Sequence, residues 1–420
     1  MTNSRQLSLR ALFATIVAIL FASSLSAFSQ VENTIYAFTN GIDSGGPWSL
    51  ISDGHGNFFG TTVSGTGTVF ELSPTTGGGW TLTTIYTFPN GNPANPRSLV
   101  MDHSGNLFGV SENGGTKDLG TIFKLAPDGS GGWTHSTLYE FHGSDGEGPT
   151  GSLALDSAGN LYGTTINGGK CSSSATGCGV AFELSPQSGG SWTETVLHNF
   201  GSSSQDGQTP FGGLARDAQG NLFGTTSVGG KPGCSTTTCG TIFELTQVAG
   251  KWSEKILHYF NSTDGAFSYA TPVLDASGNI YGTTYMGGAN DAGTVFKLAR
   301  SSAGWQIQVV HSFNSFASGE FPVSGVTLDS AGNIYAATQD GGPSGSPCKT
   351  GNGVAGCGSV WQFAPSGSGQ WTSKLLHVFS GGSDGRMINQ RVIVSKGGIF
   401  GTATYGGVDG FGTIFELLPQ

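Results

Sequence analysis

The residues best suited to chemistry are six cysteines, eight histidines and a recurring aspartate. The cysteines fall in three close pairs: Cys171 with Cys178, Cys234 with Cys239, and Cys348 with Cys357. An even count in an exported chain reads as disulfides. A four-thiolate zinc site would need two such pairs side by side, usually with about two to four residues inside each pair. These pairs stand about 60 and about 110 residues apart, so three local disulfides and no metal site are expected. His198, His258, His311 and His377 share one repeated slot, filled elsewhere by Tyr36, Tyr86 and Tyr139. One histidine per unit on outer strands should not converge on a metal, and exchange with tyrosine points to packing. The Asp of the recurring Asp-x-x-Gly-Asn reads as a turn former, with Gly supplying positive φ. Asp-Gly at Asp145, Asp206, Asp264 and Asp384 lacks the ladder of oxygens that calcium requires. Asp128, before the Gly-rich turn that leads into Trp133, approximates the structural Asp-box of sialidases. No Ser/His/Asp order, nucleophile elbow, phosphate loop or clear carboxylate pair is present. No catalytic residue and no cofactor is assigned.

The elements that position these residues come from a repeat. Gly-Asn followed by an aromatic and Gly recurs at Gly56, Gly105, Gly159, Gly220, Gly278 and Gly332, with a worn copy at Gly397. Each unit reads as four strands. Strand A runs into the Asp; strand B is of the type Asn160-Leu161-Tyr162-Gly163-Thr164-Thr165. Strand C is of the type Gly240-Thr241-Ile242-Phe243-Glu244-Leu245, and strand D runs from a Trp to a Phe, as from Trp192 to Phe200. In strand D, simple alternation puts Leu82, Tyr86 and Phe88 on one side and Ile85 on the other. Such units predict an all-β, seven-bladed β-propeller of four-stranded blades. The seventh unit stops after Phe415-Glu416-Leu417. Thr34-Ile35-Tyr36-Ala37-Phe38 matches Thr84-Ile85-Tyr86-Thr87-Phe88 and should complete blade seven. That closure removes an exposed edge, which a solenoid would not explain.

Residues 1–29 read as a secretory signal peptide: Arg5 and Arg10, an apolar stretch over 11–27, and a cleavage site at Ala27-Phe28-Ser29. Residues 30–420 are then a single propeller domain, secreted or otherwise extracytoplasmic, with no membrane span left once the signal is removed. Without Arg5 and Arg10, the 17 basic residues become 15 against 27 acidic, a net charge of −12. That balance argues against nucleic acid and anionic membranes.

The units Gly-Asn-Leu-Tyr-Gly-Thr-Thr and Gly-Thr-Ile-Phe-Glu-Leu resemble the GloVer tandem repeat of exported bacterial proteins, over essentially all of residues 34–420. The resemblance implies a β-propeller and carries no activity or catalytic residues.

The A–B turn keeps one length, whereas the B–C loop spans seven residues from Gly60 to Gly67 and twenty-two from Ala336 to Gly358. The B–C and D–A loops should share one face and hold all three cysteine pairs. Near the channel mouth on that face, at the start of strand A, stand Trp48, Arg97, Phe211, Tyr269 and Arg391. In the loops stand Phe267, Tyr285, Phe316, Tyr405, Glu320, Asp291 and Asp409. Aromatics beside a few polar groups suit a binding surface. Two functions follow. The first is a monomeric, non-catalytic module binding a neutral glycan or cell-surface protein. The second is a polysaccharide-active hydrolase or lyase with acids at the channel mouth. Acids clustered inside the mouth would favour the enzyme, and an aromatic-lined mouth without them would favour binding.

Overall fold

The computed structural model describes residues 31–39, 41, 43–89, 94–171, 177–234, 238–314, 319–341, 348, 356–367 and 369–418. The predicted signal peptide lies outside them. The described residues form seven four-stranded antiparallel sheets, each ordered A-B-C-D, together with a small two-stranded sheet in the loops. Blade 1 is representative: A, Pro47–Ser52; B, Phe58–Thr62; C, Thr68–Pro74; D, Trp80–Thr87. Blade 7 takes A, B and C from Ile393–Ser395, Gly398–Ala403 and Thr413–Leu418, and D from Val31–Ala37. The N-terminal strand pairs Thr34 with Phe415 and Tyr36 with Ile414. That is the register of Thr84 with Phe70 and Tyr86 with Val69 in blade 1. The ring is closed as the sequence predicts.

Apolar residues gather into seven buried clusters, one in each seam between blades. This is why the strands are apolar on both faces. The Phe that ends each strand D lies edge-on to the strand C aromatic of the next blade. Phe200 to Phe243 measures 5.0 Å between ring centroids, and Phe38, closing the ring, lies 5.7 Å from Phe70. The Gly of Gly-Thr-Thr is required by the strand C ring inside its own blade. A Cβ at Gly163 would stand 2.6 Å from the Phe182 ring. Blade 6 alters both partners together, with Ala336 facing Trp361.

The two threonines that follow do different jobs. The first reaches across the seam to a backbone carbonyl at the start of the next blade's strand A: Thr164 to Gly212 at 2.7 Å, Thr283 to Ser324 at 2.7 Å, and Thr402 to Trp48 at 2.9 Å across the closure. The second stays within the blade and bonds strand C, as Thr62 does with Thr68 at 2.8 Å.

Strand D departs from simple alternation. A β-bulge in every strand D inserts one residue at the same slot, between the partners of Val69 and Phe70 in blade 1. Ile85 therefore packs with Tyr86 and Phe88 in one seam, while Leu82 packs in the other. The bulge flips the side-chain phase, so that one strand serves both neighbours.

Candidate functional site

The D–A and B–C loops do share a face. Backbone bridges tie them together, as between Glu147 and Asn167, Ala266 and Met286, and Arg386 and Tyr405. At the axis on that face lies a cavity of about 270 Å³. Every blade contributes one residue of its rim: Trp48, Arg97, Thr150, Phe211, Tyr269, Val323 and Asn389, in chain order. Arg391 also lines it. The cavity thus brings together all five residues singled out at the start of strand A.

A repeated backbone device aims this wall. Two residues before each rim residue stands a position with left-handed backbone: Gly46, Asn95, Gly148, Thr209, Phe267, Phe321 and Met387, with φ between 47° and 67°. Non-glycine residues are costly there and persist only where the surroundings over-determine them. Here a two-sided backbone clamp does so. The carbonyl of Thr209 accepts from Ser227 N–H at 3.1 Å, and its own N–H donates to Cys178 O at 2.8 Å. Phe267 N–H donates to Cys239 O at 3.0 Å, and Met387 N–H to Cys357 O at 3.2 Å.

Those three acceptors are disulfide cysteines. The bridges are Cys171–Cys178, Cys234–Cys239 and Cys348–Cys357, with Cα–Cα distances of 5.6, 5.7 and 5.3 Å, and no described cysteine is free. Each one braces the backbone two residues ahead of a rim residue, Phe211, Tyr269 or Asn389. Reduction is therefore expected to cost about 2 kcal/mol per bridge through restored loop freedom. Thiol titration of the unfolded, unreduced chain should find no free thiol, and a stoichiometric thiol signal would overturn the pairing.

The wall combines apolar and polar groups. Phe211 and Tyr269 lie 4.9 Å apart, edge to face, and Tyr269 continues to Tyr285 at 5.3 Å and on to Phe321 stacked at 4.5 Å from Tyr285. Arg97 is already engaged. Its guanidinium pairs with Glu112, which also accepts from Asn95 Nδ2 at 2.7 Å, and it stacks 4.2 Å over Trp48. Gln339 donates to Asn389 at 3.0 Å, and Asn389 to Thr404 at 2.9 Å. Arg391 makes no hydrogen bond or ion pair with any described residue. It is exposed and opens into the cavity.

The remaining loop residues do not join the wall. Tyr285 belongs to the aromatic chain behind it. Glu320 is buried, bridged through its backbone to Asp340. Burial, and then the neighbouring Glu320, push the Asp340 carboxyl up to about 6. Neither acid lines the cavity. Asp291 is a turn residue accepting from Gly287 N–H at 2.9 Å. Phe267 packs in a seam, Tyr405 is exposed beside Arg386, and Asp409 is exposed. Phe316 lies outside the described residues.

The repeated Asp residues behave as turn formers. Asp53 Oδ1 accepts from the N–H groups of His55, Gly56 and Asn57 at 2.7–3.0 Å. Burial acts to raise its pKa, and those bonds outweigh it. Asp128 likewise accepts from Ser130 and Gly132 N–H at 2.8 and 2.9 Å.

Two repeat features that look independent in sequence meet in space. In five blades the His/Tyr slot of strand D bonds the Asp of the following loop: Tyr36 to Asp43 at 3.2 Å, Tyr139 to Asp145 at 2.5 Å, His198 to Asp206 at 3.1 Å, His258 to Asp264 at 3.0 Å and His377 to Asp384 at 3.4 Å. The slot thus latches the D–A loop as well as packing.

At one seam the latch gains a third member, although one histidine per blade was expected not to converge on a metal. Glu254 of blade 4 lies 3.7 Å from His198, and His198, Asp206 and Glu254 offer ligand atoms within 4.8 Å of one another. These three could hold a cation. Without one, burial raises the Glu254 pKa and so does Asp206, against the pull of His198. The sequence signal was available, since Glu254 stands two residues after the strand D Trp252, as Glu194 does after Trp192.

Seven clasped blades around a lined axial cavity define a disulfide-bearing seven-bladed β-propeller. The chain belongs to the Gloeobacter/Verrucomicrobia repeat family, which matches over residues 21–238, 170–350 and 233–420. No curated protein matches its sequence. Among solved structures it is similar to a streptogramin B lyase, at 14% identity and TM-score 0.54, covering 94% of this chain and 99% of that one. It is also similar to a catalytically inactive virginiamycin B lyase from Staphylococcus aureus solved with quinupristin, at 12% identity and TM-score 0.50, covering 93% and 99%. At these identities the likeness is one of fold.

Proposed function

We propose that this propeller is an extracellular binding module that takes a glycan into its axial cavity without turnover. The observation that carries this reading is the single cavity walled by all seven blades, in which Trp48, Phe211 and Tyr269 stand beside Asn389, Gln339, Thr150 and Thr271. Aromatic faces suit the apolar faces of sugar rings, and amides and hydroxyls suit their hydroxyls. A concave site favours a glycan over the flat surface of a cell-surface protein. Three disulfides fit an oxidising compartment. Among the described residues, the one acidic residue of the lining, Glu112, is tied to Arg97, which weighs against a hydrolase or lyase at this site.

A glycan array and a polysaccharide-degradation screen on the purified protein test this. Binding is expected, without release of reducing ends or unsaturated products. Replacing Trp48, Phe211 and Tyr269 together by Ala should abolish it. Binding that survives the triple replacement would refute the site, and product release would replace the reading with the enzymatic one.

A further inference from the structure

Immediately before the first buried apolar residue of strand A, six blades carry Ser49, Ser98, Ser152, Gly213, Thr271 and Gly325, and blade 7 carries Arg391. Blades 3 to 7 also have one more residue than blades 1 and 2 between the left-handed position and this point. Arg391 therefore stands two residues beyond the rim residue Asn389, at a position that holds a small residue in every other blade. Its side chain is exposed to the cavity and has no partner among the described residues. The other cavity cation, Arg97, is neutralised by Glu112.

A guanidinium that opens into a concave site and has no protein partner is free to take an anionic group of a ligand. It is also a fork suited to a carboxylate. Net charge −10 on the whole chain disfavours a polyanion, so a ligand with one acidic group inside and hydroxyls elsewhere matches the wall. We propose that Arg391 binds the carboxylate of an acidic sugar, a uronate residue, in the axial cavity. This deepens and rests on the glycan-binding reading, and it replaces the neutral ligand expected from charge alone with one carrying a single buried carboxylate. The aromatic rim and the cavity volume of about 270 Å³, room for about one or two sugar rings, favour a sugar over the C-terminus of a peptide.

Calorimetric titration with the methyl glycoside of galacturonic acid, which carries one carboxylate, and with its methyl ester tests this without any variant. The free acid is expected to bind at least 10-fold more tightly, since a hydrogen-bonded charge contributes about 1.5–3 kcal/mol, or roughly 10- to 150-fold. Arg391→Gln should remove that difference, while Arg391→Lys should restore part of it. Equal affinity for acid and ester, or an Arg391→Gln variant that still prefers the acid, overturns the assignment. If neutral oligosaccharides bind through Trp48 and Phe211 without regard to Arg391, this inference fails while the glycan-binding reading stands. If neither sugar form binds, both fail. Arg391-dependent capture of a peptide C-terminus instead would refute the sugar assignment.

Discussion

Deleting residues 31–38 should turn this protein into an aggregating or unfolded chain. The segment supplies strand D of blade 7, paired from Val31 with Leu418 to Ala37 with Thr413. Without it, Thr413–Leu418 becomes an unpaired edge with apolar neighbours, a template for pairing with other chains. Phe38 is fully buried in the closing seam and touches Phe70 of blade 1. Phe38→Ala alone should cost about 3–5 kcal/mol. The full deletion should cost more, against a total of about 5–15 kcal/mol for a typical domain. The loss is expected to be cooperative, because Thr402 clasps Trp48 O and Tyr36 latches Asp43 across the same junction. Thermal unfolding and light scattering of the deletion variant are the measurements. A soluble monomer melting at the parent temperature would show that closure does not hold the ring together.

The second large effect is on pH dependence. Burial, and then Asp145, push the Glu194 carboxyl up to about 7, and burial and Asp206 raise Glu254. A carboxyl raised in the folded state contributes stability below its unfolded pKa and loses it as pH rises through the folded one. His198 is also raised: burial opposes its charge, but Asp206 and Glu254 outweigh that. Its contribution too is lost on the alkaline side. The turn aspartates, such as Asp156 and Asp275, are lowered, because their Asn partners outweigh burial, and so they lose stability only as pH falls below about 4. Stability should therefore peak near pH 5 and fall towards pH 8. A rise from 4.5 to about 7 is nominally about 3 kcal/mol, and partial exposure to solvent reduces it to about 1–2 for Glu194. Glu194→Gln and Glu254→Gln should each stabilise the protein at pH 8 by about 1–2 kcal/mol and flatten the profile. Chemical denaturation at pH 5 and pH 8 reads this directly. A parent more stable at pH 8 than at pH 5, with Gln variants that weaken it there, would refute the protonated seams.

Much of the architecture was legible because it is periodic. Six copies of Gly-Asn ahead of the strand B aromatic, a worn seventh at Gly397, and seven copies of the strand C aromatic run mark the same hydrogen-bonded positions in every blade, and the match of Thr34–Phe38 to Thr84–Phe88 locates the closure. Cysteine pairs five to nine residues apart are too close to pair plausibly elsewhere. Trp48, Arg97, Phe211 and Tyr269 were found because they break the repeat at one strand position, where packing does not dictate identity, and Arg391 because it breaks the repeat just beyond that position.

What tertiary structure alone decided lies between blades or depends on a single residue's phase. A bulge shifts Ile85 to the opposite seam, and alternation cannot anticipate an insertion that is absorbed without a gap in the repeat. Glu112, fifteen residues from Arg97, neutralises one cavity cation, while nothing described neutralises Arg391. His198 meets Glu254 only because blade 4 is laid against blade 3. Local sequence determines hydrogen-bonded turns and strand identity, since those partners lie a few residues apart. Which charges end up paired or alone depends on groups from different blades, and ring closure is what brings them together.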